Sequence, residues 1–355
     1  MLPFDKPIEP SFLRLWPEPA TEAILAARRA QNPPSCSSSS VSLISLGTSG
    51  LGSCLHKLSL NVRAAWNESS VAVVYNDVVG NGWLWTRDVP ECQHGGRDRG
   101  FECLFEPVSR PCTRYARKHA NASNVVRRPS RTGEGFDLAA LRWVTRPNAW
   151  FRSWLAARYA EFWAAVQRRE QVPISRGSLI SVHIRWGDKL VESDLKPVSA
   201  YMQRVLRIVR ERQRRNHTRR PALVFLSSED GSAIEMFEEA ARQQSEFRVI
   251  KVAYERPRLS CGGIDVKQLL GPQGTGAQRA RGDTYSERWA NVYGQGASCP
   301  SLLSHARNQS VPLVLMSMLN LYLALEAGHL VCSRASNWCR LLHELADEGA
   351  ARVPV

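Results

Sequence analysis

The chain has 355 residues, 47 Lys plus Arg against 33 Asp plus Glu for a formal charge of +14, and is 43% hydrophobic and 23% charged. Those proportions describe a folding chain of about two domains, at roughly 100 to 200 residues each, and exclude disordered, fibrous and disulfide-dense miniature proteins. Residues 311–327 form the most apolar run, but Pro312, Asn320 and Glu326 interrupt it and it falls short of the ~20 residues of a membrane span, so a buried helix is expected there.

The amino terminus, MLPFDKPIEPSF, shows neither a basic leader nor an apolar anchor. Four N-x-[ST] sequons, at Asn67, Asn121, Asn216 and Asn308, and nine cysteines point instead to a lumenal product. The densest basic run, 204–220, extends an amphipathic helix without interleaved aromatics. It reads as a solvated face, and no nucleic-acid partner is expected.

In chain order, 18–31 reads as a helix ended by Pro33, Pro34 and a serine linker, and the folded region begins near Cys36. A strand over 41–46, the glycine-rich turn from Gly47 through Gly50 to Gly52, a helix over 54–66 and a strand over 71–75 make a βαβ unit. The first turn of such a unit commonly receives an anion. Residues 76–135 carry Cys92, Cys103 and Cys112 and read as irregular, disulfide-held surface; 139–167 reads as one helix. Then strands over 179–185, 222–228 and 247–252 alternate with helices over 197–212 and 232–243, the pattern of a parallel sheet with crossover helices. The glycine-rich segment 255–308 is too long for an ordinary connection. After it come the helix over 311–327, stopped at Gly328, a strand over 329–333 and a helix over about 337–347. The expected fold class is α/β, divided into a leading helix and linker over 1–35, an α/β domain over 36–170, and a Rossmann-like domain over 171–355 with 255–308 as an insert.

Three strand ends carry groups suited to a nucleoside diphosphate. In Ser181-Val182-His183-Ile184-Arg185, His183 and Arg185 share a face at the carboxyl end, where open α/β sheets bind ligands. Arg185 can hold phosphate oxygens bidentately, or be tied to Asp188 for structure. After the strand over 222–228, Glu229 and Asp230 can grip ribose hydroxyls or cap the next helix. Ser336 falls at or beside the N-cap of the last helix, where free N–H groups favour phosphate.

His183-Ile184-Arg185-Trp186-Gly187-Asp188-Lys189, with the segment from Lys196 to Met202, resembles the H-V-R-R-T-D-K and H-P-I-E-E-Y-M segments of the α-1,6-fucosyltransferases, glycosyltransferase family 23. The likeness extends to the loop from Gly50 to His56, to Pro107 through Cys112, to Ser228-Glu229-Asp230, and to Leu330 through Arg340, in order over about 36–345. The resemblance implies a GT-B-like catalytic region of two α/β domains that transfers fucose from GDP-fucose to a GlcNAc-containing glycan, with inversion, without metal or other cofactor, in the Golgi lumen or another secretory compartment. Carried over, Arg185 holds the diphosphate, His183, Glu229 and Asp230 face the nucleoside, and Gly50, Gly52 and Ser336 line the phosphate pocket. Lys189 and Glu192 handle the acceptor hydroxyl, with Asp194 as the reserve base. The same resemblance implies disulfides Cys36–Cys112 and Cys332–Cys339. Nine is odd, so one thiol stays free or pairs outside the chain. The sequence departs from the family at Trp186, where a second Arg stands, and at Asn320, where an Asp faces the nucleoside; the resemblance implies that both positions still belong to the donor-binding set. The chain also ends before the SH3-like domain of the animal enzymes, so narrow N-glycan core specificity is not implied. The competing readings are an O-fucosyltransferase-like enzyme with another acceptor, a catalytically weak glycan- or nucleotide-binding protein, and a basic polyanion-binding protein.

Overall fold

A computed structural model of the chain describes residues 22–46, 50–75, 83, 85–87, 89–94, 97–98, 100–127, 138–170, 178–186, 196–216, 220–254, 312–333, 336–346 and 350–355. It has two compact units, residues 1–161 and 162–355. Each holds a parallel sheet with helices, the α/β class expected from the sequence.

In the first unit, helix α1 (Glu22–Gln31) leads to strand β1 (Ser40–Ile44), helix α2 (Leu51–Asn67) and strand β2 (Ser70–Val74), the anticipated βαβ. β2 reads SVAVV and every residue is buried, as a strand covered on both faces requires. Ser42 and Ser70 hydroxyls meet at 2.7 Å between the strands. On β2 the Ala72 amide donates to the buried Gln31 side chain at 2.9 Å.

The described residues within 76–135 include regular elements that the irregular surface expected there does not. They hold helix α3 (Arg110–Lys118) and strand β3 (Val125–Arg127), which pairs parallel with β1 to give the order β2-β1-β3. Ser109 caps α3, its hydroxyl accepting from the Cys112 amide. The single helix expected over 139–167 is two: α4 (Leu138–Val144) and α5 (Ala149–Glu170). Pro147 causes the break, because the residue before a proline is driven out of the helical region. Asn148 then restarts the chain: its Oδ1 accepts from the Phe151 amide at 2.9 Å while its Nδ2 donates to the Glu102 and Cys103 carbonyls.

The second unit is a five-stranded sheet built from β4 (Leu179–Ile184), helix α6 (Val198–Asn216), β5 (Ala222–Ser228), helix α7 (Gly231–Arg242), β6 (Phe247–Ile250), helix α8 (Leu313–Ala324), β7 (His329–Cys332), helix α9 (Asn337–Leu345) and β8 (Ala351–Pro354). The order is β8-β7-β4-β5-β6, all parallel. β8 was not anticipated: it is a half-exposed strand at the sheet edge, where Pro354 costs no ladder hydrogen bond. α8 is buried almost throughout, as its composition requires. It ends at Ala324 with Leu325 as cap, so Gly328 is not its C′ residue; the Gly328 amide donates instead to the Leu179 carbonyl of β4.

Disulfides join Cys36 to Cys112, Cys92 to Cys103 and Cys332 to Cys339. Cys54 lies outside these bridges, buried, its thiol donating to the Leu46 carbonyl at 3.2 Å. Cys261 and Cys299 lie outside the described residues, as do the segment 255–308 and the sequon at Asn308. No helix among the described residues is long and apolar enough to cross a membrane.

Trp186 is fully buried in the second unit's core, among Val198, Tyr201 and Ile184, and its indole N–H donates to the Lys196 carbonyl at 2.9 Å. The side chain placed at the donor in the sequence reading is therefore spent on packing, with its only donor already engaged. Trp186→Phe keeps most of the ring but orphans that carbonyl, so a loss of about 1–2 kcal/mol is expected in denaturant unfolding.

Candidate functional site

The parallel register sets His183 on β4 beside Ser227 on β5 and Cys332 on β7, so three strands deliver their carboxyl ends side by side. His183 Nδ1 lies 3.1 Å from the Ser227 hydroxyl, which also reaches the Val182 carbonyl at 3.4 Å. Burial, and then the Arg185 charge, push His183 down to about 3. The imidazole is thus neutral at working pH. Its Nε2 is buried without a hydrogen-bond partner, 3.9 Å from Glu229 Oε2. A neutral ring in this setting has a hydrogen bond to offer and no charge.

Arg185 follows β4 and Glu229 follows β5. Arg185 Nη1 donates to Glu229 Oε1 and, at 2.8 Å, to the Trp186 carbonyl. The arginine side chain is 20% exposed and the glutamate 13%. One arm of the guanidinium is thereby fixed by a carboxylate in a partly desolvated place, where ion pairing is stronger than at the surface. Tyr201, buried on α6, has its phenol pushed up by burial and then by the Glu229 charge.

Asp230 is fully buried and caps α7, its Oδ1 accepting from the Ser232 amide at 2.8 Å. Its Oδ2 has no hydrogen-bond partner. Burial pushes the carboxyl up to about 7 against the pull of the Ser232 amide, and the Glu229 charge adds to the rise. A folded-state value above the ordinary ~4 means that this group's contribution to stability is full below pH ~4 and is lost as pH rises through about 7. Asn also caps helices well. Asp230→Asn is therefore expected to be more stable than the parent above neutrality, with a flatter stability profile across that window, read from thermal denaturation over a pH series.

On the third strand end, Ser336 is the buried N-cap of α9, its hydroxyl accepting from the Cys339 amide. The Cys332–Cys339 bridge ties the end of β7 to the first turn of α9, and His343 Nε2 stands 3.5 Å and 3.6 Å from the two sulfurs. These three residues are the one group among the described residues with metal-ligand proximity, but two of them are spent in the disulfide and offer no thiolate. Trp338, half-exposed in the same turn, faces His183 with ring centroids 6.1 Å apart.

His183, Arg185, Glu229 and Asp230 are thus drawn together at adjacent strand ends, and Ser336 begins the helix after the third. Asn320 is buried on α8, its Nδ2 donating to the Met316 carbonyl at 2.8 Å and reaching the Tyr254 hydroxyl at 3.4 Å, while Oδ1 is unpartnered. Gly50 and Gly52 belong to the first unit, at the N-cap and first turn of α2. A Cβ at Gly50 would meet nothing within 4 Å and its φ is −52°, so the fold itself does not demand glycine there. Lys189, Glu192, Asp194 and Asp188 lie outside the described residues. The sequence reading missed Ser227, Tyr201 and Trp338. Only Ser227 left a signal, because aligning the two strand ends places it opposite His183.

No family model matches the sequence, nor does any curated protein. Among solved structures, the fold is similar to that of NodZ α-1,6-fucosyltransferase soaked with GDP-fucose, with a TM-score of 0.42 and 13% identity over 87% of this chain and 93% of that one. It is similar also to NodZ co-crystallised with GDP, at a TM-score of 0.39, 14% identity and the same coverage. These likenesses are distant, and the residues of the site carry the functional reading.

Proposed function

We propose that the chain is a GDP-fucose-dependent glycosyltransferase of GT-B-like architecture, acting on a GlcNAc-containing glycan in a secretory compartment. The observation that supports it most is the Arg185–Glu229 pair beside neutral His183, at the strand ends where parallel α/β sheets take nucleotides. The motif that resembles the α-1,6-fucosyltransferases falls on these same strand ends, and the disulfides fit an oxidising lumen.

In this reading Glu229 orients Arg185, whose guanidinium meets the diphosphate. The Asn337 and Trp338 amides opening α9, ahead of the Cys339 amide that Ser336 takes, serve the same charge in this reading, since the first N–H groups of a helix have no carbonyl partner within it. Together they stabilise the GDP leaving group as the bond to fucose breaks, the task a divalent metal performs in other transferases. Glu192, with Asp194 in reserve, accepts the proton of the attacking hydroxyl, and Lys189 assists at the acceptor. The reaction inverts the anomeric centre. His183, Asp230 and Asn320 serve the nucleoside, and Gly50 and Gly52 the phosphates. The engagement of Arg185 by Glu229 also suits a nucleotide-binding protein of weak turnover, which is the second reading.

The test is calorimetric titration of the purified chain with GDP and, separately, UDP. Saturable GDP binding in EDTA, weaker UDP binding, and a loss of about 10- to 100-fold in Arg185→Lys are expected, because a charge-assisted fork contributes roughly 1.5–3 kcal/mol. Equal binding of both nucleotides, screened away by salt, would instead mark a polyanion-binding surface.

A further inference from the structure

We propose that Asn67 and Asn121 of the first unit carry N-linked oligosaccharides. Both open an N-x-[ST] sequon, Asn67-Glu68-Ser69 and Asn121-Ala122-Ser123. A sequon matters only where the folded surface can carry a glycan, and the two sites meet that condition differently.

Asn121 lies in the turn between α3 and β3, where the Ala122 amide donates to the His119 carbonyl at 3.0 Å and the Val125 amide to the Ala122 carbonyl at 2.9 Å. Asn121 and Ser123 are both exposed. The same turn holds Asn124, which is not in a sequon. Its Nδ2 donates to the Cys36 carbonyl at 2.9 Å and the Ser39 carbonyl at 2.8 Å, and its Oδ1 accepts from Tyr115. Two asparagines three residues apart have thus divided the work: Asn124 fixes the turn, while the Asn121 carboxamide makes no bond among the described residues and projects outward. The Cys36–Cys112 bridge anchors the same region, so a glycan at Asn121 hangs from a rigid support.

Asn67 ends α2, and Asn67, Glu68 and Ser69 are all exposed. Ser69 takes the left-handed φ of 53°, which swings the chain at once into buried Ser70 of β2 and leaves the sequon on the outside of the bend. The three disulfides supply the independent point: they form in the oxidising compartment where N-glycans are added. The co-reactant is an oligosaccharide linked to a lipid pyrophosphate. The Asn amide nitrogen bonds to the anomeric carbon, the carbon–oxygen bond to phosphate breaks, the lipid pyrophosphate leaves, and a carboxylate of the transferring enzyme takes one amide proton. No oxidation state changes. The sequon at Asn308 and the last two residues of that at Asn216 lie outside the described residues.

The test is made on the full chain isolated from its source cells. Trypsin releases Asn121 in the peptide 119–127 and Asn67 in 64–87. Each peptide is expected only after N-glycosidase treatment in heavy-oxygen water, with a heavy-labelled Asp in place of the asparagine. Recovery of either peptide with its asparagine intact, before glycosidase, overturns the assignment for that residue. In the chain secreted from a eukaryotic host, Ser123→Ala should remove one glycan-sized step in electrophoretic mobility and Ser123→Thr should keep it. A step that survives Ser123→Ala would place the modification elsewhere.

Discussion

Arg185→Ala is expected to lower the rate of fucose transfer by at least ~10²-fold, because it removes the cation after β4 that is proposed to meet the departing diphosphate. It also takes the Arg185 guanidinium away from Glu229, which is 13% exposed. Breaking a buried pair from one side costs more than removing both partners. The single variant should therefore lose on the order of 2 kcal/mol of stability, a figure below the fully buried case because Arg185 is partly exposed. Arg185→Met combined with Glu229→Gln should regain most of that stability and none of the activity. This separation of effects distinguishes a donor-binding arginine from one kept for structure alone. Glu229→Gln by itself should retain the fold and raise KM for the donor more than it lowers kcat. Stability that falls equally in the double variant, with transfer intact, would make the pair a structural element only.

Replacing Cys36 and Cys112 together by serine is expected to cost about 4 kcal/mol, since the bridge closes a sequence separation of 76 residues. The Cys332–Cys339 bridge, at a separation of 7, is worth correspondingly less in chain entropy. The longer bridge joins the segment before β1 to α3, in the small core that also holds Val41, Val73 and Ala116. Its loss should lower the unfolding midpoint of the first unit by roughly 10 °C while moving that of the second little. Scanning calorimetry of the variant, and of the parent with and without reductant, reads this directly. A midpoint indifferent to both would mean that these sulfurs are not bonded in solution.

Much of this fold can be read from hydrophobic runs. SVAVV and ALVFLSS are continuous apolar stretches bounded by polar turns, and such runs become buried parallel strands because both faces are covered. α3 was hidden because RPCTRYARK is mostly basic and polar, with only Cys112, Thr113 and Ala116 buried. Its start was nonetheless written in Ser109 as cap and Pro111 in the first turn. β8 escaped notice because an edge strand need bury little.

The site divides in the same way. His183 and Arg185 were legible from strand alternation, and Glu229 and Asp230 from their position after an apolar run. That Arg185 meets Glu229 while Asp230 turns inward to cap α7 depends on register and on helix geometry, which a single sequence does not display. Trp186 misled because a residue beside a phosphate-binding arginine looks like a site residue, whereas its size and apolar ring drive it into the core.

Transfer itself is tested by incubating the purified chain with GDP-fucose, EDTA and a panel of N-glycans bearing exposed GlcNAc, then measuring product masses. Addition of a single deoxyhexose in the parent, lost in Arg185→Ala, with fragmentation locating it on GlcNAc, is the predicted result. Unchanged glycans together with no saturable binding of GDP would contradict it.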